Sequence, residues 1–112
     1  MNVLRLTLKK RWFDMIASGE KQEEYREIKP YWEQRLVNGK KDLILDSVQS
    51  FGNKADWKRF DAIEFINGYS PNSPRFLIEC KGIEIYYGHQ KWGAISGERY
   101  FKIKIKRNDT KR

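Results

Sequence analysis

A chain of 112 residues fits one domain, able to bury a modest core without a disulfide or a metal to hold it. Hydrophobic residues make up 39% of it despite a mean hydropathy of -0.83, and no apolar run approaches the roughly 20 residues of a membrane span. The 23 Lys and Arg outnumber the 15 Asp and Glu, and the resulting +8 favours polyanionic partners.

Cys80 is the only cysteine, which excludes an internal disulfide and a four-cysteine zinc site and leaves no disulfide-linked partner expected. Met1 to Leu8 alternates apolar and polar residues instead of showing a signal peptide's apolar stretch, so neither secretion nor membrane insertion is expected and the cytoplasm is the expected address. The final residues, 107–112, are read as a basic, disordered tail beyond a domain of residues 1–106.

Val3, Leu4, Leu6 and Leu8 read as an opening strand. Leu8, Trp12 and Ile16 then recur at helical spacing, and Gly19 ends the helix because it tolerates the left-handed backbone. Glu20 to Ile28 reads as a charged strand, and Pro30 begins a short helix closed by Gly39, with Trp32 and Leu36 on its apolar side. Leu43 to Leu45 reads as a short strand and Ser47 to Trp57 as a surface loop.

Ile63, Phe65 and Ile66 form the next strand, ending in the Asn67-Gly68 turn signal and a loop with Pro71 and Pro74. Phe76, Ile78 and Cys80 alternate with polar neighbours, and Ile83, Ile85 and Tyr87 continue after Gly82, which marks a bulge or bend in one long strand. From Tyr100 to Lys106, Phe101, Ile103 and Ile105 share the packed face, while Lys102, Lys104 and Lys106 share a face read as a solvated edge that resists strand pairing. The fold class expected is α+β: a small mixed β-barrel of five or six strands with two short helices near its openings, or an open sheet of the same elements.

The anomaly is Gly19-Glu20-Lys21-Gln22-Glu23-Glu24-Tyr25-Arg26, where ionisable groups fill a strand that would ordinarily carry an apolar residue at every other position. On a regular strand Lys21, Glu23 and Tyr25 share one face and Gln22, Glu24 and Arg26 the other, so Glu24 and Arg26 can pair while Lys21 joins them only through a bulge or turn. Two uses of these residues follow: an ion pair that ties the strand to the neighbouring helix, or a ligand cleft lined by Lys21, Glu24 and Arg26.

Gly19, Lys21, Glu24 and Arg26 match all four positions of the Gly-x-Lys-x-x-Glu-x-Arg motif that follows the first helix in the ASCH domain family of the PUA-like superfamily, and the chain resembles that family. The likeness extends through Leu6-Thr7-Leu8, Trp12 to Ala17, Phe65-Ile66-Asn67-Gly68-Tyr69 and Gly97 to Ile105. It implies a β-barrel with helices near its mouth and a cleft at the motif that holds RNA or a modified nucleoside. Some members of the superfamily are amidohydrolases acting on N4-acetylcytidine with a Lys and a Thr of this segment and a distant Glu, and nuclease activity is also associated with the family. Lys21 occupies the lysine position but Glu24 stands at the threonine position, and the distant acid would be Glu79 or Glu84.

If the chain is an enzyme, Lys21 and Glu24 are its candidate catalytic residues. A neighbouring carboxylate stabilises an ammonium and opposes its use as a base, so Lys21 and Arg26 serve better as phosphate or carbonyl donors, with Glu24 orienting them. Tyr31, Trp32 and Arg35 add an aromatic platform and a cation suited to stacking bases and holding phosphates, although Trp32 equally suits a core anchor. Asn67 and Tyr69 are further ligand-binding candidates, against the simpler reading of Asn67-Gly68 as a turn. His89 stands alone without metal-ligand spacing, and no glycine-rich phosphate loop or cofactor motif is present.

Overall fold

The computed structural model describes residues 1–38 and 56–108. The strand read at 43–45, most of the loop read at 47–57, Gly39 and the last four residues of the tail lie outside that range. The architecture is α+β, as expected, with elements in the order β1 (Val3–Thr7), α1 (Lys10–Ala17), β2 (Glu23–Arg26), α2 (Pro30–Leu36), β3 (Ala62–Ile66), β4 (Arg75–Tyr87), a 3-10 turn (Gln90–Trp92) and β5 (Arg99–Ile105). The strands form one mixed sheet of five in the order β1-β3-β4-β5-β2, in which β1 runs parallel to β3 and β3 antiparallel to β4. Among the described residues no helix is long and apolar enough to cross a membrane.

Two compact units divide these residues: one holds 1–22, 60–82 and 104 onward, the other 23–59 and 83–103. In the first, Leu4 and Leu6 of β1, Ile63 and Phe65 of β3, and Ile16 of α1 are buried, the strand residues at the period of two that one packed face requires. The Phe13 ring of α1 meets Phe76 of β4 edge-on at 5.0 Å, and Phe76 lies 5.8 Å from Phe65, which fixes the helix against the strands. The helix ends as the sequence predicts: Gly19 has φ +87°, and a Cβ there would stand 2.6 Å from the Asn108 carbonyl oxygen, so the position excludes a side chain twice over. The Asn108 side-chain amide donates to the Ala17 carbonyl at 2.7 Å, which holds the chain two residues past the expected domain boundary at 106.

In the second unit Ile83, Ile85, Phe101 and Ile103 are buried, with Leu36 of α2 and Trp92 of the 3-10 turn. Pro30 stands in the first turn of α2, where its missing N–H costs nothing. Beyond the helix, Val37 forms an antiparallel bridge with Trp57, the Asn38 N–H donates to the Asp56 carbonyl at 2.8 Å, and Trp57 meets Phe101 edge-on.

β4 shows the bend read at Gly82. Its less exposed positions are 76, 78 and 80 before that residue and 83 and 85 after it, so the inward face changes parity where Gly82 takes φ +131°. β5 corrects the sequence reading of its lysine face. Strand order places β5 between β4 and β2, not at an edge, and the Lys102 side chain is only 12% exposed. Local alternation specifies which side chains share a face but not which strands stand on either side, and here both neighbours pair with β5.

Gly88 follows β4 in the second unit, where a Cβ would stand 2.6 Å from Cζ of the Tyr25 ring and 2.7 Å from the Ala94 Cβ. Gly88→Ala is expected to cost about 1–3 kcal/mol by overpacking, seen as a lower midpoint in urea unfolding. An unchanged midpoint would contradict that close approach.

Candidate functional site

Strand β2 is four residues long and carries a charge on three of them, so pairing rather than apolar burial must compensate its desolvation. The even positions form one group. The Arg26 Nη1 donates to Glu24 Oε2 at 2.5 Å, with the two side chains 18% and 5% exposed. The Arg26 guanidinium also lies over the Trp32 ring, 5.1 Å from its centroid.

Helix α2 completes this group because its first turn follows β2 by three residues. Trp32 and Arg35 are three apart and Tyr31 and Arg35 four apart, the two spacings that share a helix face. The Arg35 guanidinium lies 5.1 Å from the Trp32 centroid and 5.7 Å from that of Tyr31, and its Nη1 donates to the Tyr31 hydroxyl at 3.3 Å. The Tyr31 and Trp32 rings meet edge-on at 4.9 Å, with Tyr31 largely exposed and Trp32 half-buried. Trp32 is thus neither a core anchor nor a bare platform, but an indole carrying two guanidinium groups.

The odd positions of β2 form a second polar group that the sequence did not reveal. Glu23 accepts from the Tyr25 hydroxyl at 2.7 Å and pairs with the Lys102 ammonium at 3.2 Å, and Lys102 also reaches Glu84 at 3.6 Å. The His89 backbone N–H donates to the Tyr25 oxygen at 2.9 Å. Burial pushes the Tyr25 phenol far above its ordinary value of 10.0; the His89 N–H pulls the other way, and the hydrogen bond to Glu23 with the charges of Glu23 and Glu24 adds to the rise.

Lys21 belongs to the first unit and precedes β2. Its side chain is buried, its N–H donates to the Met15 carbonyl at 2.9 Å, and its ammonium lies 4.4 Å from the Trp12 centroid. Asn67 serves the turn: its N–H donates to Pro74 and its side-chain amide to the Leu8 carbonyl at 2.9 Å. Tyr69 stands 94% exposed on the loop that follows. The structure therefore brings together Glu24, Arg26, Tyr31, Trp32 and Arg35 in the second unit, while Lys21, Asn67 and Tyr69 belong to the first.

Of the two candidate distant acids, Glu84 is engaged by Lys102, and Glu79 is exposed with Lys106 at 4.0 Å. Glu33 of α2 is a buried acid that sequence reasoning passed over. Its signal was its place in the first turn of the Pro30 helix, where a carboxylate complements the helix dipole. Among the described residues no three His, Cys, Asp or Glu side chains are grouped to hold a metal. In comparisons with known proteins, no family model, no curated protein and no solved structure matches the chain.

A phenol that holds its proton more tightly when folded stabilises the fold fully below its unfolded value, and loses that contribution as pH rises above it. Unfolding free energy is therefore expected to fall above pH 10.0 in the natural protein and to fall less steeply in Tyr25→Phe. Urea titrations between neutral and alkaline pH measure this, and parallel profiles for the two proteins would contradict the role given to Tyr25.

Proposed function

We propose that this chain binds RNA or a nucleotide-like ligand through Arg26, Trp32, Arg35 and Tyr31, with Glu24 holding Arg26 in place. One observation carries the reading: Arg26, fixed by a buried carboxylate, and Arg35 both lie 5.1 Å from the centroid of one half-buried indole. An aromatic face for a base and guanidinium forks for phosphate are the two elements that single-stranded nucleic acid recognition combines. The net charge of +8 adds long-range attraction of the same sign. The likeness of Gly19, Lys21, Glu24 and Arg26 to the ASCH motif points the same way and would make the chain a small PUA-like domain.

Binding takes precedence over catalysis because of what Glu24 does. At the position where the resembled amidohydrolases carry a threonine, its carboxylate accepts from Arg26. That arrangement fixes a donor and supplies no hydroxyl nucleophile.

Fluorescence anisotropy with a labelled single-stranded oligoribonucleotide tests the reading. Arg26→Lys keeps the charge but loses the planar fork, and it is expected to weaken binding at least about tenfold. Arg35→Ala is expected to lower the slope of log affinity against log salt by about one. Lys81→Ala, which removes an exposed charge from β4, is the control, and equal losses in all three variants would replace this site with diffuse charge. Release of cytidine from N4-acetylcytidine, or cleavage of the oligoribonucleotide, would overturn binding as the primary activity.

A further inference from the structure

We propose that Tyr86 is a further base-stacking position in the second unit, and that Glu84 beside it selects a base with an exocyclic amine, cytosine or adenine, over uracil. This rests on the nucleic-acid reading above but uses residues that reading does not.

β4 turns Ile83 and Ile85 into the core, so Glu84 and Tyr86 share the opposite face of the strand. Tyr86 is 52% exposed and its neighbour Tyr87 46%, and the two rings meet edge-on at 5.3 Å. Two aromatic rings therefore stand open together at the end of one strand. Single exposed rings are ordinary on a protein surface, whereas grouped ones mark a place where something stacks.

The Tyr86 ring is also held from beneath. The Lys102 ammonium lies over it, 5.2 Å from the centroid, and is itself fixed by Glu23 at 3.2 Å and Glu84 at 3.6 Å. Because the Lys102 side chain is only 12% exposed, it takes the sheet side of the ring and leaves the other face to the outside. A ring fixed in this way loses little freedom when a base meets its open face.

Glu84 supplies the selection. Its side chain is 27% exposed, and it flanks the same ammonium as the Tyr86 ring. A carboxylate offers about four lone-pair sites, so Glu84 keeps its protein partners and still accepts from an amine at the edge of a stacked base. Cytosine and adenine carry that amine, whereas uracil places a carbonyl oxygen at the equivalent position and is repelled. An arginine side chain of another protein would also suit a ring beside a carboxylate, but the net charge of +8 repels a basic partner and attracts a polyanion.

Fluorescence anisotropy with labelled oligocytidylate and oligouridylate of equal length tests the assignment. The natural protein is expected to bind oligocytidylate at least about threefold more tightly, and Glu84→Gln to narrow that preference. Tyr86→Leu is expected to weaken oligocytidylate binding at least about fivefold, while Tyr86→Phe keeps it. Tyr86 is half-exposed, so its variants keep the fold and decide the matter even if Glu84→Gln unfolds. Equal affinity for the two oligonucleotides, a preference unchanged in Glu84→Gln, or a Tyr86→Leu protein that binds oligocytidylate as the natural one does would each overturn the Tyr86 contact. If Arg35→Ala still weakens binding in that case, the Trp32 site stands. If the natural protein binds neither oligonucleotide, both are overturned.

Discussion

The Glu24–Arg26 ion pair is the constraint around which the described second unit is organised. Burying a carboxylate at 5% exposure and a guanidinium at 18% costs more than their attraction alone returns, unless further contacts satisfy both groups. A period-two strand then dictates the rest. With Glu24 and Arg26 turned to one face, Glu23 and Tyr25 must turn to the other, where Lys102 and the His89 N–H receive them. β2 is therefore held by polar contacts on both faces, which explains how a four-residue strand with three charges is kept in a sheet.

The same pair explains how a cation of β2 comes to lie over the indole of α2. Arg26 is the last residue of β2, and Pro30 opens α2 after three residues, so Trp32 is brought under a guanidinium whose position Glu24 has already fixed. A pre-positioned fork loses less conformational freedom on meeting a phosphate than a mobile side chain would. That economy is the physical argument for a binding surface.

Much of this was legible in the sequence because it is local. Alternation along β5 identified Phe101, Ile103 and Ile105 as core, Gly82 marked the change of face in β4, and the two-residue spacing of Glu24 and Arg26 predicted their pairing. What remained hidden depends on which strands are neighbours. Lys102 reads as solvated until β5 is placed between β4 and β2, where Glu23 and Glu84 reach it. Lys21 is buried in the first unit with the Trp12 ring 4.4 Å from its ammonium, a neighbour that the strand pattern does not indicate. Asn67 shows the reverse case, in which the simple turn signal gives its role in full.

The central claim, that the indole carrying Arg26 and Arg35 is where nucleic acid binds, is tested most directly by following the four tryptophan indole N–H signals by NMR as single-stranded oligoribonucleotide is added. Trp57 and Trp92 pack against Phe101 and His89, and they report on the fold. The account predicts a saturable shift of the Trp32 signal that weakens as salt is raised, with the Trp57 and Trp92 signals little changed. A Trp32 signal that stays in place while the protein binds the oligoribonucleotide would contradict it.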